Sequence, residues 1–198
     1  MVRQNSQRLA KIVDEILNVS RVKEQLPAPE VLRLILDDAI EKIAAEWSIQ
    51  NNASQRVQVA TDAAHVAVWF EPDHLRRLMV NLLDNALRYA GRSEQAIQVS
   101  TQVVSAGNAR LAVWSDGQPL EKTVQTHLFE PFFSSESRSS GLGLYICREL
   151  CERYGARIGY RRAWRGTREG NEFFVVLNSG SAPLDDQSPL FEAAPFIR

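Results

Sequence analysis

The chain has 198 residues, and 44% hydrophobic with 24% charged residues is the balance of one or two ordinary soluble globular domains, which excludes collagen-like, disordered and membrane-spanning classes. At this length a compact fold buries roughly 70% of the surface its unfolded chain exposes, so a core forms without metal or disulfide staples. With 23 Lys plus Arg against 24 Asp plus Glu the formal charge is −1, so no global basic field steers the molecule onto nucleic acid, and an anionic ligand must be held locally.

From Gln4 to about Lys23, Leu9, Ile12, Val13, Ile16, Leu17 and Val19 recur at helical spacing. A lone helix of this length is marginal in water and needs a partner outside the globular domain. Leu26-Pro27-Ala28-Pro29 breaks it and reads as a stiff linker and domain boundary. Glu30 to about Trp47 reads as strand or loop turning into helix. Val57–Ala60 and Val66–Phe70 are short apolar runs around Thr61-Asp62-Ala63-Ala64-His65, read as a strand pair. Pro72 to about Ala90 is the clearest helix. Pro and Asp stand at its start, Leu75, Leu78, Met79, Leu82, Leu83 and Ala86 share one face, and Gly91 follows.

Ala96–Val104 and Arg110–Trp114 read as strands around the turn at residues 105–108. Asp116-Gly117-Gln118-Pro119 reads as a tight turn, and residues 134–140 hold five serines in seven positions, the composition of a mobile loop. Gly141-Leu142-Gly143 opens a helix to about Tyr154. Arg157–Trp164 and Asn171–Leu177 close the sheet, and residues 179–198, with Pro183, Pro189 and Pro195, form a weakly ordered tail. The two cysteines, Cys147 and Cys151, fall four apart on one helix, too far for a disulfide, and read as reduced thiols packed as small apolar groups.

Asn81 and Asn85 share a flank of the Pro72 helix, with Arg88 and Tyr89 following. An amide oxygen is a hard neutral ligand able to hold Mg²⁺ alongside water and phosphate oxygens, and Arg88 can meet a phosphate. The alternative is that these amides cap neighbouring loops. Gly141-Leu142-Gly143 sits where loop becomes helix, so its backbone N–H groups can face a phosphate under the serine-rich loop.

In order, Asn81-Leu82-Leu83-Asp84-Asn85-Ala86-Leu87-Arg88-Tyr89, Asp116-Gly117, Leu128-Phe129-Glu130-Pro131-Phe132-Phe133 and Ser140-Gly141-Leu142-Gly143-Leu144 resemble the successive boxes of histidine-kinase catalytic domains. The resemblance covers about residues 30–177, and Leu9–Arg21 resembles the second helix of the preceding dimerisation domain. Within the family the chain looks most like the PilS-type sensor kinases of type IV pilus regulation.

That resemblance implies an α+β two-layer sandwich of the Bergerat, histidine-kinase ATPase type, an α/β arrangement with a mixed, mostly antiparallel sheet covered by helices on one face and preceded by one amphipathic helix. It implies residues 1–25 as part of a dimerisation and phosphotransfer domain, 30–178 as an ATP-binding catalytic domain and 179–198 as a tail. Among site residues, Asn81 matches the catalytic polar position beside the γ-phosphate and Asn85 the Mg²⁺ ligand. Arg88 and Tyr89 match the phosphate and ribose side, and Phe129 and Phe132 the aromatic box anchoring the lid. Gly141, Leu142 and Gly143 match the second glycine box. Arg138 is a candidate lid cation, with a solvated surface arginine as the alternative. Implied cofactors are ATP and Mg²⁺. Implied partners are a phosphoacceptor-histidine helix of the same kinase, a response-regulator receiver domain and a second copy in a full-length homodimer, with no nucleic acid. The implied location is the cytoplasmic side of an inner-membrane sensor.

Two departures stand out. The family's first glycine box reads D-x-G-x-G, and with Gly117 as its first glycine the Asp position holds Ser115 and the second Gly position holds Pro119, while Asp116 is its neighbour and no simple replacement. In the family that Asp accepts from the adenine amino group, and losing a charged acceptor costs roughly 1.5–3 kcal/mol, about tenfold to hundredfold in affinity. Ser139 likewise replaces a glycine. The second departure is that no segment resembles the phosphoacceptor helix. His65 reads as turn, His74 as the exposed start of a helix and His127 as the approach to Phe129, so the acceptor lies elsewhere and the chain is expected to be part of a longer protein. The leading reading is a kinase catalytic domain. The rivals are a pseudokinase acting through dimerisation and docking, and a stand-alone ATPase.

Overall fold

A computed structural model describes residues 31–105, 107–133 and 140–179. The expected amino-terminal helix, the Pro27 linker, Arg138, Ser139 and the tail from residue 180 lie outside the described residues. The elements in order are β1 (Leu32–Ile35), α1 (Leu36–Gln50), β2 (Val57–Ala60), β3 (Ala67–Phe70), α2 (Pro72–Tyr89), β4 (Ile97–Ser105), β5 (Asn108–Ser115), α3 (Lys122–His127), α4 (Gly143–Arg153), β6 (Arg157–Arg165) and β7 (Arg168–Asn178).

Five strands form a sheet in the order β2-β4-β5-β7-β6, with β2 parallel to β4 and every other pair antiparallel, while β1 and β3 make a separate antiparallel pair. The inward period of the sheet, Ile97 and Val99 on β4, Leu111 and Val113 on β5, Phe173, Val175 and Leu177 on β7, packs against Ile40 and Trp47 of α1, Leu75, Leu78 and Leu82 of α2, and Ile146 and Leu150 of α4 in one buried cluster. This is the two-layer α+β sandwich that the motifs imply.

Two expectations need correction. The runs at 57–60 and 66–70 do not pair with each other, because the connection between them is pinned across the molecule. The buried Asp37 carboxylate accepts from Ala63 N–H at 3.0 Å and from the Thr101 hydroxyl at 2.6 Å, while Asp62 N–H donates to Thr101 Oγ1 at 3.1 Å. The link therefore bridges α1 and β4, and β3 crosses over to β1. The segment 116–119 is an extended exit from β5 with no tight turn, and a short helix, α3, follows it.

Helix α2 starts where Glu71 accepts from the N–H groups of Asp73 (3.0 Å) and His74 (2.7 Å), with Pro72 inside the first turn. Trp47 Nε1 donates to Asp84 Oδ1 at 2.9 Å and ties α1 to it. Contrary to the expectation of an exposed residue, His74 is half-buried, its Nδ1 2.6 Å from the Tyr154 hydroxyl beyond the end of α4, and Tyr154 lies against Phe70. Cys147 and Cys151 are free, buried thiols, as read from their spacing, and burial pushes Cys147 up to about 12.

Replacing Asp37 by Ala strands the Ala63 N–H and the Thr101 hydroxyl, a loss of about 2 kcal/mol, which lowers the melting temperature by about 4–8 °C; calorimetry reads it, and an unmoved transition would show the link is held by other contacts. Burial lowers the His74 pKa, helped by Arg153 and Arg77 and opposed by Glu71 and Asp73. The fold thus favours the neutral ring, and its contribution is present above the ordinary value of 6.5 and lost as pH falls through and below it. The melting temperature should decline from about pH 7.5 to about pH 5.5 more steeply in the natural chain than in His74→Gln.

Candidate functional site

One flank of α2 carries Asn81, Asn85 and Arg88, next to its buried apolar face. The amino terminus of α4 meets this flank. A Cβ placed on Gly143 would stand 3.4 Å from Asn81 Oδ1, and one turn deeper the Cys147 thiol donates to the Leu78 carbonyl at 3.7 Å. Asn85 lies one turn further along α2 and is half-buried, Tyr89 is half-buried and Arg88 is exposed. Asn81 and Gly143 are thus in contact, with Asn85 and Arg88 continuing the same flank.

The Asn81 Nδ2 group is buried and has no hydrogen-bond partner among the described residues. A buried donor left open costs on the order of 1–3 kcal/mol. The Asn81 atom that faces Gly143, where an eleven-residue helix opens with first-turn N–H groups lacking intrahelical acceptors, is Oδ1. The same amide lies by the Cys147 thiol and lowers its pKa against the larger effect of burial. Ser140 Oγ accepts from Leu142 N–H at 3.3 Å, and Leu142 itself is buried in the core. A helix amino terminus whose first N–H groups are open fits phosphate oxygens. The Asn85 amide oxygen on the same flank is of the donor type that suits Mg²⁺ bound chiefly through a ligand's phosphates.

The roots of the segment 134–139 also come together. Gly141 has φ +70°, and a Cβ there would come within 2.5 Å of the Phe132 carbonyl carbon, so only glycine fits against the turn at Phe132–Phe133. Phe132 is itself at φ 62° and 67% exposed, whereas Phe129 packs edge-on against Phe173 with ring centres 6.5 Å apart. The two aromatic residues therefore differ, one anchoring and one presented to solvent.

At the other end of α2, a Cβ on Gly117 would lie 2.7 Å from the Tyr89 carbonyl oxygen, a close approach that brings the exit of β5 onto the helix. The Asp116 carboxylate accepts from Gly91 N–H (2.7 Å) and Ser93 Oγ (2.9 Å) and pairs with Arg168 at 3.2 Å, so it holds the connection after α2. Ser115 is buried on the inward period of β5, opposite Asn171 of β7. Asn171 Oδ1 accepts from the Tyr160 hydroxyl at 2.8 Å and from Arg162 Nη1 at 3.0 Å, and its Nδ2 donates to the Gln118 carbonyl at 2.8 Å. Arg162 Nη1 also donates to the Gly117 carbonyl at 3.0 Å.

Sequence reasoning missed this Tyr160, Arg162 and Asn171 network. The signal was Asn171 itself, a polar residue heading the otherwise apolar inward series Phe173, Val175, Leu177. Of the three histidines, His65 is exposed at φ 66°, His74 is held by Tyr154 and His127 pairs with Glu130 at 2.9 Å.

The model of the family described as histidine kinase-, DNA gyrase B-, and HSP90-like ATPase matches residues 70–180. The chain is 28% identical over 169 residues to the sensor protein kinase PilS of Pseudomonas aeruginosa, covering 84% of this chain and 31% of that protein. It is 28% identical over 163 residues to the C4-dicarboxylate transport sensor protein DctB of Rhizobium meliloti, covering 82% of this chain and 26% of that protein. It thus spans about a third or less of these two relatives' length. Among solved structures, the catalytic domain of the histidine kinase ThkA superposes with a TM-score of 0.63 at 22% identity, over 76% of this chain and 96% of that one. ThkA in complex with the response regulator protein TrrA gives 0.69 at 23% identity, over 90% of this chain and 49% of that one. With two layers of α2, α4 and sheet, amides on the α2 flank and a glycine-opened α4 set against them, the chain belongs to the histidine kinase-, DNA gyrase B- and HSP90-like ATPase family.

Proposed function

We propose that this chain is the ATP-binding catalytic domain of a two-component sensor histidine kinase, which presents the γ-phosphoryl group of Mg·ATP to a phosphoacceptor histidine on a helix of the same kinase. The observation that carries the reading is the Asn81 side-chain amide set against Gly143 where α4 opens, with Asn85 one turn along the same flank of α2.

Phosphoryl transfer asks a protein for position and for charge stabilisation rather than covalent chemistry. In this reading the Asn81 N–H donates to a γ-phosphate oxygen and gains strength as charge collects there. The backbone N–H groups where the chain enters α4, at Gly141 and Gly143, face the chain of phosphates. The Asn85 amide oxygen would hold Mg²⁺, which when bound neutralises phosphate charge. Arg88 adds a cation at the solvent edge, and Tyr89 lines the sugar side. Asp116 contributes by fixing the connection beyond α2, and Gly117 and Leu142 by letting backbone and core close around the ligand.

The finer elements of the proposal are a homodimeric full-length kinase at the inner membrane with this domain on the cytoplasmic side, and passage of the phosphoryl group to a response-regulator receiver domain. Likeness to PilS favours type IV pilus regulation as the setting. No helix among the described residues is long and apolar enough to cross a membrane. Neither the geometry nor the relatives favour the pseudokinase alternative.

In calorimetric titration with Mg²⁺ present, ATP should bind, and Asn85→Ala should weaken binding by about tenfold to hundredfold with the melting temperature of the free protein unmoved. Equal affinity in the two proteins would remove Asn85 from the site. Incubated with ATP labelled on the γ-phosphate, the chain should acquire no stable label; phosphate on His65, His74 or His127 would contradict an acceptor located elsewhere, and steady-state hydrolysis would favour a stand-alone ATPase.

A further inference from the structure

Helix α2 rises about 1.5 Å per residue, so Asn81 and Tyr89 lie about 12 Å apart along its axis. With phosphates at Asn81 and Gly143, sugar and base extend along the helix toward Tyr89 and Gly117. There the sheet ends in a polar row on its helix-facing side: Ser115 on β5, Asn171 opposite it on β7, and Arg162 opposite Asn171 on β6. Buried polar side chains in an otherwise apolar wall are what fix the orientation of a ligand.

The row differs in what remains available. Asn171 is engaged at both ends of its amide, by Tyr160 and Arg162 on the oxygen and by the Gln118 carbonyl on the nitrogen, and two donors on one atom fix which way the amide faces. Arg162 is divided between Asn171, the Gly117 carbonyl and Glu169 at 3.1 Å. The nearby carboxylate, Asp116, is committed to Gly91, Ser93 and Arg168. None of the hydrogen bonds among the described residues engages the Ser115 hydroxyl, on a residue 5% exposed.

A carboxylate only accepts, so it selects a base edge that donates. A hydroxyl rotates to do either. We propose that Ser115 reads the base through its hydroxyl alone, so that the site takes 6-oxopurine nucleoside triphosphates, GTP and ITP, about as readily as ATP. The inference rests on the nucleotide reading above and extends it to the class of substrate. Strong discrimination between ligands of similar shape needs a buried group that the wrong ligand leaves unpaired. At Ser115 neither a 6-amino nor a 6-oxo group does so, and the Arg162 guanidinium, on the far side of Asn171 in the same row and bonded to the Gly117 carbonyl, adds positive potential that suits the oxo group.

The test uses the 198-residue chain with MgCl₂, measuring calorimetric affinities for ATP, GTP and ITP. The three should agree within about tenfold. Ser115→Asp, which places an accept-only group there, should raise the preference for ATP over GTP by at least about tenfold. Ser115→Ala, which cannot disturb the fold through charge, should weaken ATP and GTP to the same degree. A natural preference for ATP beyond about tenfold, an Asp variant with an unmoved ratio, or an Ala variant that weakens only one nucleotide overturns the proposal and leaves the nucleotide reading standing. If no nucleotide binds the natural chain or the variants while their melting transitions stay sharp, the nucleotide reading falls and the proposal with it. Binding by Ser115→Asp alone also overturns the proposal.

Discussion

Helix α2 has to satisfy two environments at once. Its Leu75, Leu78, Met79, Leu82, Leu83 and Ala86 are buried against sheet and helices, and that burial holds it in register. With the apolar face fixed, the Asn81 amide stays in the seam with α4, its oxygen toward Gly143 and its buried nitrogen making no geometrically formed hydrogen bond among the described residues, with the Cys147 thiol close by. The cost of that open donor is borne by the surrounding core, which is how a stable scaffold keeps a binding group ready. Helix α4 can come this close because residue 143 has no side chain, and the Cys147 contact with the Leu78 carbonyl fixes the spacing a turn deeper.

Both ends of the α2 flank are bounded by polar contacts that fix backbone. Near α4, the φ of Gly141 and its closeness to the Phe132 carbonyl carbon bring the two roots of the intervening segment together. Near β5, Asn171 and Arg162 take the Gln118 and Gly117 carbonyls, and Asp116 takes the Gly91 N–H. Residues of β6 and β7, 45 and 53 positions away in the chain, thereby determine where the exit of β5 lies. The flank of α2 is consequently a rigid edge with defined limits, the condition for positioning a ligand to within a fraction of an ångström.

The long helices α2 and α4 and most strands were legible from period, while the short α3 was not. The apolar stripe of α2 was visible within a residue of its observed limits, and the glycine positions announced the opening of α4, because side-chain spacing and the special backbone needs of glycine are local properties. Partner choice was not local. The alternation at 57–60 and 67–70 marks strands but says nothing of which edge they join, and the decisive contacts, Asp37 with Ala63 and Thr101, connect residues distant in sequence. The half-burial of His74 depends likewise on Tyr154, eighty positions on. Within the site, the amides and glycines carried a recognisable order, whereas the Arg162 and Asn171 network carried none and needed the register of β6 on β7 to appear.

On the face of the sheet away from the helices, the fully buried Glu172 carboxylate is ringed by Arg110, Arg161 at 2.6 Å and Arg165 at 2.5 Å, and the Arg110 guanidinium lies 4.6 Å over the Phe174 ring. One carboxylate balances one of three guanidinium groups, so that side retains surplus positive charge along β6, which forms the free margin of the sheet. Like charges repel when two such margins approach, and long cationic side chains obstruct the backbone groups that another β-strand would seek. Continuing the sheet from one molecule to the next past the β6 edge is thereby disfavoured, and the arginines that hold Glu172 also guard that edge.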